Sequence, residues 1–127
     1  MEKKTIIYVD DDPAQRKAMK KLFEFLGYQA EIFDDPEAAL SVAIKRFRPL
    51  VITDLDMPGM NGVTLCEKIR EKNKGAFIYA LSGHVRQFGT ETLERSGFDG
   101  FLVKPIDAVK LEKAMEGAFD KIARMES

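Results

Sequence analysis

A small set of polar residues in this chain has the types and positions that chemistry needs: Asp10 and Asp11, Asp54 and Asp56, Ser82, His84 and Lys104. Asp10, Asp11 and Asp54, if brought within about 5 Å, repel by roughly 3 kcal/mol per pair at an effective dielectric of 20, so their convergence calls for a cation. Oxygen donors with no histidine or cysteine partner at matching spacing favour a hard ion, and Mg²⁺ fits best, with Mn²⁺ the next choice; zinc finds no ligand set. A carboxylate can itself attack phosphorus to give an aspartyl phosphate, provided the charge on the equatorial oxygens is neutralised and the reacting groups are in line. Asp54 is placed for that role. Lys104 would supply a second positive charge to the phosphoryl oxygens, and the Ser82 hydroxyl would donate a hydrogen bond to one of them.

The elements that must position these residues are legible in the hydrophobic pattern. Five short apolar runs, Thr5 to Val9, Gln29 to Phe33, Leu50 to Thr53, Ala76 to Leu81 and Gly100 to Val103, alternate with stretches of helical periodicity. Such alternation marks a parallel sheet with helices on both faces. Asp12 as N-cap and Pro13 at the first helical position open the first helix, whose face carries Met19, Leu22, Phe23 and Leu26 before Gly27 ends it. Asp35 and Pro36 repeat the device for the second, with Leu40, Ala43, Ile44 and Phe47 as its expected buried stripe and Pro49 as its limit. The third follows Asn61-Gly62, packs Val63, Leu65, Cys66 and Ile69 inward in part, and stops near Asn73 and Gly75. The fourth, between Val85 and Ser96, has few apolar residues (Val85, Phe88, Leu93) and Gly89 inside, so it is expected to be the least firmly held. The last, from about Asp107, carries Leu111, Met115, Ala118, Phe119 and Ile122.

Right-handed crossovers bring the C-terminal ends of parallel strands to one edge, where doubly wound folds bind ligands. Asp10 and Asp11 end the first run, Asp54 the third, Ser82 the fourth and Lys104 the fifth. Residues far apart in sequence are thus expected to converge in a strand-end crevice.

Composition narrows the function classes. The 127 residues suit one domain, taken as 1–127 with a core of about 5–122, and no repeat or low-complexity stretch divides them. A formal charge of -1 from 20 basic and 21 acidic residues gives no dominant basic face, so direct nucleic-acid binding is not expected. No apolar run approaches the roughly 20 residues of a membrane span, and the opening residues do not read as a signal peptide. The lone Cys66 cannot form an internal disulfide, which suits a reducing cytoplasm, and on an apolar helix face it reads as a packing residue.

The stretches Val9-Asp10-Asp11-Asp12-Pro13, Asp54-Leu55-Asp56-Met57-Pro58-Gly59-Met60-Asn61-Gly62, Ala80-Leu81-Ser82-Gly83 and Lys104-Pro105 together resemble the receiver domains of response regulators, proteins of two-component signalling. Any one piece is weak; four in order, on the matching elements, are specific. The resemblance covers about residues 5 to 122 and implies a flavodoxin-like, doubly wound (βα)5 sandwich with a parallel sheet of order 2-1-3-4-5. It makes Asp11 a direct metal ligand, Asp10 a water-mediated one, and Asp54 both ligand and phosphoacceptor, with the backbone carbonyl of Asp56 as a further ligand. It implies Mg²⁺-dependent phosphoryl transfer from a sensor histidine kinase or a histidine phosphotransfer domain. Self-catalysed phosphorylation and dephosphorylation, rather than turnover of a substrate, is the expected activity. Ser82 matches a hydroxyl that moves toward the phosphoryl group, and Phe101 an aromatic that swings inward with it. Phe101 stands where Tyr is frequent and lacks the hydroxyl for a hydrogen-bonding tip. The peptide between Lys104 and Pro105 is expected to be cis, which aims the lysine back into the site. Asp56 and His84, each two residues past a site position, border the water path in such receivers and are candidates for setting the phosphoryl lifetime. Family likeness also points to an output surface on the fourth helix, fifth strand and fifth helix, a downstream protein of unknown identity, and a phosphorylation-dependent dimer. The chain reads as a stand-alone receiver or one excised from a longer protein.

Plainer readings exist for each piece. Asp12 certainly suits a helix cap, but one cap needs one residue, not three. Asp54 alone could cap a turn, Lys104 alone could be a solvated charge, and Ser82 alone is an ordinary loop residue. Other functions compete with the receiver reading. Asp54-Leu55-Asp56 resembles the paired aspartates of haloacid-dehalogenase-like phosphatases, yet those lie at the first strand and the family adds a cap for which no residues are spare. A flavodoxin-like electron carrier would need hydroxyls and amides, not an acidic loop, after its first strand. A receiver-shaped module that is never phosphorylated is the third alternative.

Overall fold

The computed structural model describes residues 5–83 and 89–126. Strands β1 (Thr5–Val9), β2 (Gln29–Phe33), β3 (Leu50–Asp54), β4 (Phe77–Ser82) and β5 (Gly100–Val103) alternate with helices α1 (Pro13–Phe25), α2 (Pro36–Ala43), α3 (Gly62–Lys72), α4 (Thr90–Arg95) and α5 (Ala108–Glu126). The sheet is parallel with order β2-β1-β3-β4-β5, as the resemblance implies. β3 sits at the centre and is buried throughout, which is why its sequence Leu-Val-Ile-Thr-Asp lacks polar alternation.

Alternate strand residues feed two apolar layers. Ile7, Val9, Val51, Ile78 and Ala80 pack with Ala39 and Ala43 of α2, Leu65, Cys66 and Ile69 of α3, and Leu93 of α4. Ile6, Tyr8, Ile52, Tyr79 and Leu81 pack on the other face with Met19 and Phe23 of α1 and Leu111, Met115 and Ala118 of α5. Burying a Leu, Ile or Phe side chain stabilises by about 1.5–3 kcal/mol, so these two layers dominate the favourable side of folding.

The helix starts follow their caps. Asp12 accepts from the Ala14 N–H at 3.0 Å and Asp35 from the Glu37 N–H at 3.1 Å, each ahead of its proline. Asn61 accepts from the Thr64 N–H at 2.9 Å, and Asp107 from the Lys110 N–H at 2.9 Å. Two expectations need correction. Phe47 is not part of a buried stripe but 75% exposed, because α2 ends at Ala43 and its periodicity does not reach so far. The Asn73 amide terminates that segment by donating to the carbonyls of Ala43 and Arg46 at 2.9 and 2.8 Å. Arg48 then turns the chain with φ 48° and rests its guanidinium 4.9 Å over the Phe47 ring. Gly89, expected inside the fourth helix, instead precedes it with φ 78°, a backbone setting that glycine adopts without a Cβ penalty. Val85 and Phe88 lie outside the described residues.

Candidate functional site

The first, third, fourth and fifth strands deliver their last residues to one edge because they are parallel and in register: Val9 lies opposite Thr53, Asp54 opposite Leu81, and Ser82 opposite Val103. Asp10 prolongs the ladder by donating its N–H to the Phe33 carbonyl at 3.1 Å. Strand β3 runs one residue further than its apolar run, so Asp54 is part of the strand and takes its position from the sheet rather than from a loop.

Asp10, Asp11 and Asp54 each present a carboxylate oxygen within 4.8 Å of the others. Asp10 is fully buried, Asp54 4% exposed, and Asp11 open to solvent. Lys104 reaches across from the end of β5, its ammonium 3.3 Å from Asp54 Oδ1 and 3.7 Å from Asp10 Oδ2. The Lys104–Pro105 peptide is cis, as expected, and the Lys104 N–H donates to the Ser82 carbonyl at 3.0 Å. Three carboxylates against one ammonium leave an excess of two negative charges at the crevice.

The Asp54 carboxyl pKa lies above its ordinary value. Burial is the largest cause and the charge of Asp10 the next, while the ammonium of Lys104 and the Asp56 N–H pull the other way. A hard divalent cation meets the same need from outside. Octahedral Mg²⁺ holds oxygens at about 2.1 Å, so opposite ligands stand about 4.2 Å apart, and the carboxylate cluster matches that scale without a nitrogen or sulfur donor. The donor set therefore fits magnesium.

Ser82 is fully buried, and its hydroxyl donates to Asp56 Oδ2 at 3.2 Å. The Asp56 side chain is exposed and bonded to Ser82 rather than gathered with the other carboxylates, which leaves the phosphatase alternative without its second aspartate in the cluster. Phe101 pairs with Ala80 in the sheet and is 38% exposed. His84 lies outside the described residues.

Three supports were missed by motif reading. Tyr8, two residues before Asp10 and therefore on the same sheet face, donates its hydroxyl to Asp10 Oδ2 at 2.8 Å. Arg16 donates to the Asp10 carbonyl at 3.0 Å, tying the first turn of α1 to the end of β1. Gly62, read as a helix start, has its α-carbon against the Asp54 carbonyl, which a Cβ would overlap. Only Tyr8 had a visible signal, a hydroxyl within an aliphatic strand.

The chain matches the family described as Response regulator receiver domain over residues 6–116. Chemotaxis protein CheY-3 of Vibrio cholerae serotype O1 is 29% identical over 120 residues, 92% of each chain. Sensor protein EvgS of Escherichia coli strain K12 is 32% identical over 105 residues, which are 83% of this chain but 9% of EvgS. Among solved structures, a CheY-like response regulator receiver domain protein from Methanospirillum hungatei JF-1 superposes with TM-score 0.88 at 26% identity, covering 98% of this chain and 99% of that one. The chain belongs to the response regulator receiver domains, the phosphoacceptor modules of two-component systems. Among the described residues no helix is long and apolar enough to cross a membrane.

Proposed function

We propose that Asp54 is the phosphoacceptor of this receiver and that the other residues of the crevice serve its phosphorylation. The observation that carries the reading is the convergence of Asp54 with Asp10, Asp11 and Lys104 at one sheet edge. The donor is a phosphohistidine on a sensor histidine kinase or a histidine phosphotransfer domain, a partner class supported by the likeness to the EvgS sensor protein. In the transfer the N–P bond of the phosphohistidine breaks as an Asp54 carboxylate oxygen bonds to phosphorus. Lys104 favours the ionised form of the attacking carboxylate and then faces the phosphoryl oxygens, and the Ser82 hydroxyl exchanges Asp56 for one of those oxygens.

Asp11 and Asp54 would hold Mg²⁺ directly, Asp10 through water, and the Asp56 carbonyl would complete the protein's share. The bound ion supplies charge neutralisation at the phosphoryl oxygens. Ser82 and Phe101 carry the switch toward α4, β5 and α5, the surface read by a downstream protein or a second receiver. Asp56 and His84 set the phosphoryl lifetime. The domain catalyses its own phosphorylation and dephosphorylation rather than the turnover of a separate substrate.

Incubation with acetyl phosphate and Mg²⁺, read by intact-protein mass spectrometry, tests the assignment. Wild type is expected to gain one phosphoryl group and Asp54→Asn none. Equal labelling of both would move the acceptor elsewhere, and no labelling of either would favour a receiver-shaped interaction module.

A further inference from the structure

The phosphoryl chemistry above makes no use of one buried polar group, the hydroxyl of Tyr8. The strand Thr5-Ile6-Ile7-Tyr8-Val9 is otherwise built to fill space. The Tyr8 ring is fully buried and meets Phe23 edge-on, with centroids 5.8 Å apart and planes at 66°. A phenylalanine would make that contact equally well, whereas a hydroxyl there must find a partner or be costly to bury.

Its partner is Asp10. The hydroxyl donates to Oδ2 at 2.8 Å, while the Asp12 N–H donates to Oδ1 of the same carboxylate at 3.0 Å. The two carboxylate oxygens are thus held by separate donors, which restrains rotation of the aspartate side chain.

We propose that Tyr8 is a positioning residue for the divalent-cation site, acting through Asp10. The inference rests on the phosphoacceptor reading, in which Asp10 serves the metal. Partners of a metal-serving group typically change metal affinity by about 10–100-fold when removed, and Tyr8→Phe deletes the hydroxyl while keeping the ring against Phe23.

The test is a Mg²⁺ titration of the phosphate-free protein, followed by amide chemical shifts, in wild type, Tyr8→Phe, Asp10→Asn and Tyr8→Phe/Asp10→Asn. Tyr8→Phe is expected to weaken Mg²⁺ binding about tenfold. In the Asp10→Asn background, loss of the hydroxyl is expected to have no further effect. A merely structural hydroxyl would lower the metal-free melting temperature and leave the Mg²⁺ dissociation constant unchanged, and that result overturns the inference while sparing the phosphoacceptor reading. An equal loss with and without the Asp10 carboxylate also overturns it. Should Tyr8→Phe not fold, unchanged Mg²⁺ affinity in Tyr8→Leu, which also lacks the hydroxyl, decides against the proposal. Absence of Mg²⁺ binding by wild type removes the phosphoacceptor reading itself.

Discussion

The Lys104 ammonium lies 3.3 Å from Oδ1 of Asp54 across a sequence separation of 50 residues. It also lies 3.7 Å from Asp10 Oδ2, so a single ammonium faces two buried carboxylates. Lys104→Met keeps much of the aliphatic stem and removes the charge. Phosphorylation of Asp54 by acetyl phosphate at saturating Mg²⁺ is then expected to slow by about 100-fold, the scale of losing one preorganised charge-stabilising donor. The rate of appearance of phosphorylated protein in quenched time courses measures it, and a change under threefold would remove Lys104 from the reaction.

Asp54 also makes a prediction about stability. Its folded pKa is raised by burial and by Asp10, so over a window above the ordinary carboxylate range the folded state holds a proton that the unfolded state has lost. Stability associated with that proton is present at low pH and lost as pH rises through the folded pKa, the direction linkage requires when the folded state binds more protons. In EDTA, Asp54→Asn is expected to match wild type near about pH 3 and to exceed it by about 1–3 kcal/mol at about pH 7, the scale of a partly compensated carboxylate repulsion. Urea denaturation across pH measures the gap. Excess Mg²⁺ is expected to narrow it by stabilising the wild type selectively.

Ser82 and Asp56 set a third expectation. The hydroxyl proton that donates to Asp56 at 3.2 Å cannot donate to a phosphoryl oxygen at the same time. Asp56→Ala removes this competitor and keeps the backbone carbonyl assigned to the metal. The phosphorylated form is expected to decay more slowly, by about three- to tenfold, the gain of one charge-assisted hydrogen bond. Loss of phosphorylated protein after removal of the donor gives the rate. Faster decay would instead make Asp56 a shield against water.

Phe47 separates burial from composition. Three-and-four spacing predicted it inside, yet it is 75% exposed, and Phe47→Ala is expected to change unfolding free energy by less than about 0.5 kcal/mol. Phe23→Ala, at a fully buried position, is expected to cost about 3–5 kcal/mol. Urea midpoints of the two variants make the comparison.

These residues show what the chain discloses before folding. Asp12-Pro13 and Asp35-Pro36 are local capping chemistry, so the helix starts were legible, and Asp10, Asp54, Ser82 and Lys104 were legible because parallel strands send their ends to one edge. The end of α2 was not, because Asn73, thirty positions away from Ala43, supplies the amide that closes it. The engagement of Ser82 by Asp56 likewise depends on the register of β3 against β4, and the sheet order was implied by resemblance rather than by periodicity.

Gly62 ties the helix α3 to the acceptor strand, and nothing in its sequence neighbourhood announces how closely. A Cβ on Gly62 would overlap the Asp54 carbonyl and approach the Leu55 α-carbon at 2.9 Å, both backbone atoms that cannot rotate away. That carbonyl already accepts from the Thr53 hydroxyl at 3.0 Å, and the Gly62 N–H donates to the Leu55 carbonyl at 3.1 Å, so the two segments are pinned together. Gly62→Ala must therefore push α3 from the end of β3 or shift Asp54 itself. The expected cost is about 3 kcal/mol, the upper range of overpacking, because backbone rather than a flexible side chain must yield. Phosphorylation by acetyl phosphate should fall along with the urea midpoint, since the displaced atoms belong to the acceptor residue. A variant that unfolds at the wild-type midpoint would show that the helix start has room the structure does not display.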